Sequence, residues 1–98
     1  MLCIDATVTA NPPPSAAAPP DGVRAFISHL LQEQAIPLND AQDAAARWKI
    51  GRGREMRSYD PSIYFGIFGA EYGWILYREI RLRMHEEKCR KFLQVQNW

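Results

Sequence analysis

Seven prolines punctuate this chain of 98 residues, and their placement decides where regular structure can begin. Five of the seven fall in the run NPPPSAAAPP, between Pro12 and Pro20, and the others are Pro37 and Pro61. Proline fixes φ and lacks an amide hydrogen, so a dense run favours extended, solvated chain over a packed element. An isolated proline instead stops a helix or opens one. The expected organisation is a disordered Pro/Ala-rich tail over residues 1–20 and a single small helical domain over residues 21–98. As a polyproline ligand the tail lacks a flanking basic residue, so it is read as plain tail.

From Asp21 onward the apolar spacing is helical. Val23, Phe26, Ile27, Leu30 and Leu31 follow the i, i+3, i+4, i+7, i+8 pattern of one helical face, with Asp21 as candidate cap and Pro37 beyond the end. Asn39 with Gln42 resembles a capping box, and Ala41, Ala44, Ala45 and Trp48 supply the next face. Gly51 suits the left-handed residue that ends such a helix. Asp60-Pro61 is an N-cap followed by proline at the first helical position, and Tyr59 and Tyr64 occupy the two places of a hydrophobic staple. Ile63, Tyr64, Ile67 and Phe68 then form a short apolar face stopped by Gly69. A last helix is expected from Ala70 to about Leu93, with Gly73, Leu76, Tyr77, Ile80 and Met84 on one side. Its second half holds the acid-leading i, i+4 pairs Glu79–Arg83, Glu86–Arg90 and Glu87–Lys91, which suit an exposed face.

The fold class expected is therefore mostly α, a small bundle of three or four helices from Asp21 to about Leu93. The alternative is an α+β fold with a hairpin near Ser62 to Met84. There Ile80, Leu82 and Met84 alternate with Arg81, Arg83 and His85, and SIYFGIF is rich in strand formers.

Composition excludes more than it selects. Net charge is +1 at pH 7, too small for a wholesale nucleic-acid binder. Met1 to Asp21 holds Asp5 and Asp21 and no Lys or Arg, so the rest of the chain carries a modest basic surplus. Two cysteines, Cys3 and Cys89, cannot make a disulfide framework, and reduced thiols in an intracellular protein, cytoplasmic or nuclear, are the expectation. The N-terminus lacks the basic and apolar regions of a secretory signal. The longest near-apolar run, Ile63 to Tyr77, is too short to span a bilayer and contains Glu71, so no membrane role is expected.

The stretch WKIGRGREMRSYDP, Trp48 to Pro61, concentrates Lys49, Arg52, Arg54 and Arg57 around two glycines, with Arg47 just before it. Arg52-Gly53-Arg54 matches the centre of a minor-groove hook but lacks its proline and basic flanks. No phosphate-loop spacing is present, and the segment follows a helix rather than a strand. Its simplest reading is a helix end at Gly51 with Arg47 and Lys49 opposing the helix dipole, and a new cap at Asp60.

His85 and Cys89 stand four apart, as two metal ligands on a helix can, but no second close pair completes a site, so neither metal nor cofactor is expected. Cys89 has no orienting acid or oxyanion motif with it, and adjacent Glu86 and Glu87 diverge on a helix, so no catalytic residue is assigned and the chain is not read as an enzyme. The densest feature is aromatic: Tyr59, Tyr64, Phe65, Phe68, Tyr72, Trp74 and Tyr77. Much of it fits a core, yet Ile75, Leu82, Cys89 and Leu93 lie on the helix side opposite Leu76 and Ile80. With Trp74 these are the candidate partner-binding residues of a non-catalytic protein–protein interaction module, the partner being another protein or a second copy. The alternative is weak, non-specific nucleic-acid binding through Arg47, Lys49, Arg52, Arg54 and Arg57, joined by Arg78, Arg81 and Arg83; a second alternative is an enzyme of unassigned class.

Over Ala45 to Lys88, WKIGRGREMRSYDP followed by IFGAEYGWILYREIRLRMHEEK resembles a set of small uncharacterised proteins of filamentous fungi. The resemblance implies a compact unit in which this block is central, and it implies no activity, cofactor or site residue.

Overall fold

A computed structural model describes the backbone of residues 12–96 and the side chains of residues 12–89. Five helices and no strand are present among them: α1 (Pro20–Glu33), α2 (Leu38–Ala45), α3 (Gly53–Ser58), α4 (Pro61–Phe68) and α5 (Ala70–Gln96). The mostly α expectation holds, with one helix more than expected, and Ser62 to Met84 forms α4 and most of α5 rather than a hairpin.

Helix α1 opens on proline rather than on Asp21. Pro19 is the N-cap residue and Pro20 the first helical position, where a missing amide costs no intrahelical bond. Asp21 falls in the first turn and pairs with Arg24, its charge lying toward the positive end of the helix dipole. The stripe Val23, Phe26, Ile27, Leu30 and Leu31 is buried throughout. At the far end the amides of Ala35 and Ile36 donate to the carbonyls of Gln32 and Leu31, both at 3.0–3.1 Å, in a Schellman motif. Ala35 takes the left-handed conformation this requires, with φ 68°.

Helix α2 likewise starts after a proline cap, Pro37, and Asn39 makes no capping bond. Its buried residues are Ala41, Ala44 and Ala45, small enough for α1 and α2 to approach closely. The helix ends at Ala45, so Arg47, Trp48 and Lys49 lie beyond it, not in its last turn. Trp48 is fully buried, and its indole N–H donates to the Gly51 carbonyl at 2.7 Å. Arg24 fastens this loop to α1 by donating to the carbonyls of Trp48 and Lys49 at 2.7 and 3.0 Å.

The expected left-handed helix end at Gly51 is not found: among the described glycines only Gly69 has positive φ. Gly51 is required for a different reason. A Cβ there would lie 2.5 Å from a ring carbon of Trp48. Nor is the stretch that follows a plain turn, since Gly53–Ser58 forms α3. Glu55 accepts the Arg52 amide at 2.8 Å, and the next two amides, those of Gly53 and Arg54, donate to Ala18 and Ala16 carbonyls at 3.0 Å. These would otherwise be orphan donors at a helix start.

The end of the proline run is thus docked on α3. Pro13 is buried, Arg57 donates to the Pro14 carbonyl at 2.9 Å, and a Cβ on Gly53 would sit 1.8 Å from the Ser15 carbonyl oxygen. The segment is irregular, as a proline run dictates, but residues 13–18 pack against the domain rather than extending into solvent. Residues 1–11, the larger part of the expected tail, lie outside the described residues.

At α4 the expected signals are met. Asp60 is the N-cap residue, Pro61 opens the helix, Tyr59 and Tyr64 rings meet edge-on at 6.4 Å, and Gly69 ends it with φ 91°. The Asp60 carboxylate accepts from the Ser62 hydroxyl at 2.9 Å rather than from an amide. Helix α5 then folds back on α4. Gly73 is what lets them touch, because a Cβ there would lie 2.8 Å from the Tyr64 carbonyl oxygen. The core joins Trp48, Met56, Tyr64, Phe68, Leu76 and Ile80 to the α1–α2 residues, with Trp48 and Phe68 stacked at 6.3 Å.

Candidate interaction surface

The outward side of α5 is built from what its core side leaves over. Leu76 and Ile80 are buried, with Tyr77 and Met84 packed beside them, so residues about 180° around the helix face away. Between Trp74 and Lys88 the exposed residues are Trp74, Arg78, Arg81, Leu82, His85 and Lys88. Trp74 is 49% and Leu82 50% exposed, high values for side chains of that size. Trp74 is not isolated. Its ring lies 6.4 Å from Phe65 of α4 and stacks 6.2 Å from Tyr77, whose face in turn carries the Arg81 guanidinium at 5.1 Å. Phe65 and Ile63 are themselves exposed, extending the apolar area onto α4.

Of the residues expected to bind a partner, Trp74 and Leu82 stand on this surface. Ile75 does not: although it lies only about 20° around α5 from Leu82, it is partly buried and packs against the core. Cys89 is half-buried, with Sγ 3.5 Å from His85 Nε2. It is not a free thiol, which removes it from the reduced pair that was expected; Cys3 lies outside the described residues. Leu93 lies on α5 beyond the described side chains. Phe65, Arg78, Arg81 and Lys88 belong to the surface although periodicity alone did not single them out as one group.

The charges on α5 are sorted. Glu79 is bound at 2.7 Å by Arg83, which also reaches Glu33 of α1 at 2.6 Å, and Arg78 contacts it at 3.3 Å. Glu87 takes a two-pronged hydrogen bond from Arg57 of α3, at 2.9 and 3.1 Å. The acids of the i, i+4 pattern are therefore half-buried instead of lying on a solvated face: Glu79 and Glu87 are held by arginines that tie helices together, and Glu86 has one carboxylate oxygen buried without a hydrogen-bond partner. Of the expected pairs Glu79–Arg83 forms; the side chains of Arg90 and Lys91 lie outside those described. The cations Arg78, Arg81 and Lys88 point outward.

The basic segment divides in the same way. Arg57 is spent on Glu87 and Pro14, and Arg47 donates to the Phe68 carbonyl at 3.3 Å. Arg54 lies 3.6 Å from Glu55. Lys49, Arg52 and Arg54 are exposed, around Ile50 at 86% exposure. The two glycines of the segment are both occupied with close packing. Arg83, a further candidate for phosphate contact, is bound to two carboxylates.

Among the described residues no three His, Cys, Asp or Glu side chains converge as a metal site would need, and no helix is long and apolar enough to cross a membrane. One ionisation is strongly displaced: burial pushes the Tyr64 hydroxyl well above its ordinary value of 10.0, while the Arg81 charge pulls the other way. That hydroxyl donates to the Met56 carbonyl, so it holds α3 to α4 and faces no open site. No protein-family model, no curated protein and no solved structure matches this chain.

Proposed function

We propose that this chain is a non-catalytic protein-interaction module, and that its partner docks on the outward side of α5 and the adjoining aromatic residues of α4. The observation that carries the reading is Trp74, half-exposed in a row of rings with Phe65 and Tyr77, with Leu82 two turns farther along the helix. A tryptophan so held has little side-chain freedom left to lose, and covering it removes a large apolar area from water. Residues of this kind dominate binding energy at protein interfaces.

The test is a pull-down from nuclease-treated native lysate with the intact chain, Trp74→Ala and Leu82→Ser. Both positions are exposed, so circular dichroism should be unchanged in the variants. Proteins retained by the intact chain and lost from both variants support the reading; equal retention by all three refutes it. Weak nucleic-acid binding is the competing outcome, resting on exposed Lys49, Arg52 and Arg54. It requires retention to vanish with nuclease and to weaken steeply with salt, by a log–log slope of roughly −0.9 per phosphate contacted.

A further inference from the structure

Resting on that docking reading, we infer that the partner presents an acidic amphipathic helix, laid along α5 between Trp74 and Lys88. Charge placement on α5 points to such a partner. Over these four turns each acid, Glu79, Glu86 and Glu87, is drawn partly inward, Glu79 and Glu87 by arginines of the fold itself. The exposed residues left are two apolar side chains and the bases Arg78, Arg81 and Lys88 with His85 among them. Leu82 lies eight positions after Trp74, about 12 Å along the axis. A second helix offers apolar side chains at that same interval from positions seven or eight apart. Its neighbouring carboxylates then fall opposite Arg78, Arg81 and Lys88.

Other occupants fit less well. A second copy would set this cationic row against itself, and like charges brought together across an interface cost affinity. A bilayer surface takes a helix with a broad apolar side, and here only Trp74 and Leu82 are apolar between Trp74 and Lys88 on the exposed side. Single-stranded RNA could stack on Trp74, but the cations follow one straight helix side rather than lining a groove.

The test uses the full chain and a fluorescent alanine-based peptide of about 18 residues, long enough for roughly 27 Å of helix. The peptide carries two leucines seven apart flanked by glutamates, and its control replaces every glutamate by lysine. Anisotropy titrations should show the acidic peptide binding at least about tenfold more tightly than the control, and weakening markedly between low and about 0.5 M salt. Arg78→Glu with Arg81→Glu should reverse the preference, and Trp74→Ala should abolish binding of both. Equal binding of the two peptides, lost in Trp74→Ala, overturns the acidic partner while leaving the docking surface in place. No binding of either peptide overturns the inference, and the pull-down with Trp74→Ala then judges the docking reading separately. Tighter binding of oligouridylate, or of phosphatidylserine vesicles, with the same dependence on Arg78 and Arg81, assigns the surface to that ligand instead. Concentration-dependent dimerisation in sedimentation, abolished by Trp74→Ala, would overturn it in favour of a second copy.

Discussion

Ala35 occupies the one described non-glycine position with positive φ, 68°, because the turn after α1 needs a left-handed residue to return the amides of Ala35 and Ile36 to the helix. A Cβ in that conformation crowds the following carbonyl, at a cost of roughly 1–2 kcal/mol. Ala35→Gly relieves it, and the greater entropy of the unfolded chain offsets part of that relief, so the net expected gain is about 1 kcal/mol, or roughly 4–8 °C in a thermal melt of a domain this size. Tyr64 links stability to pH. Its hydroxyl is buried and donates to Met56, so the folded state holds the proton beyond pH 10 while the unfolded chain begins to release it there. Its stabilising effect is therefore whole below pH 10 and is lost as pH rises from there toward the displaced folded value, by up to about 1.4 kcal/mol per pH unit. Urea unfolding of the intact chain and Tyr64→Phe should show the variant weaker near neutrality, where the Met56 carbonyl loses its donor, and the gap narrowing above pH 10. A gap constant from pH 8 to pH 11 would contradict that account.

Among the elements, those legible in the sequence are the ones whose cause lies within a few residues. Asp60-Pro61, the Tyr59–Tyr64 staple and Gly69 are all local chemistry, and α4 begins and ends where they place it. Trp74 and Leu82 were legible for the same reason, since helical spacing alone puts them away from Leu76 and Ile80. Helix α3 was not legible, because the carbonyls that satisfy its first amides come from Ala16 and Ala18, distant in sequence. Charge sorting on α5 was hidden for the same reason: Glu87 is turned inward by Arg57 and Arg83 by Glu33, each from another helix. The α3 contact can be tested at Gly53, whose missing Cβ admits the Ser15 carbonyl. The obstacle is backbone, which cannot swing aside, so Gly53→Ala should push residues 13–18 off α3. The expected loss is about 1–3 kcal/mol, from two stranded amides and exposed Pro13, with faster hydrogen exchange at residues 53 and 54. Unchanged exchange at those amides would mean that the segment contributes nothing to holding α3.

At the scale of the whole molecule, two helix pairs share one core. Helix α1 packs chiefly on α2, α4 chiefly on α5, and Trp48 stands between the pairs on a loop that belongs to neither. Its ring stacks on Phe68, lies 5.5 Å from Tyr59 and 6.3 Å from Tyr64, and its indole N–H is held by Gly51, while Arg24 of α1 grips its carbonyl. Outside the core, the Arg83–Glu33 contact also joins the pairs. Truncating a buried tryptophan costs about 3–5 kcal/mol, and a small domain has only about 5–15 kcal/mol in total. Trp48→Ala should therefore leave the domain largely unfolded or loosened at 37 °C. Trp48→Phe is the more informative variant, since it keeps a ring against Phe68 and Tyr64 but loses the bond to Gly51 and part of the volume. Its far-ultraviolet and near-ultraviolet melts should still coincide, at a lower midpoint, because one shared core makes unfolding all-or-none. If the two melts separate, with helix signal persisting after aromatic order is lost, then Trp48 is what makes the two pairs a single cooperative unit. If the midpoint does not move at all, the pairs are joined chiefly by the remaining contacts of α1 and α3 with α5, and the central place given to Trp48 is wrong.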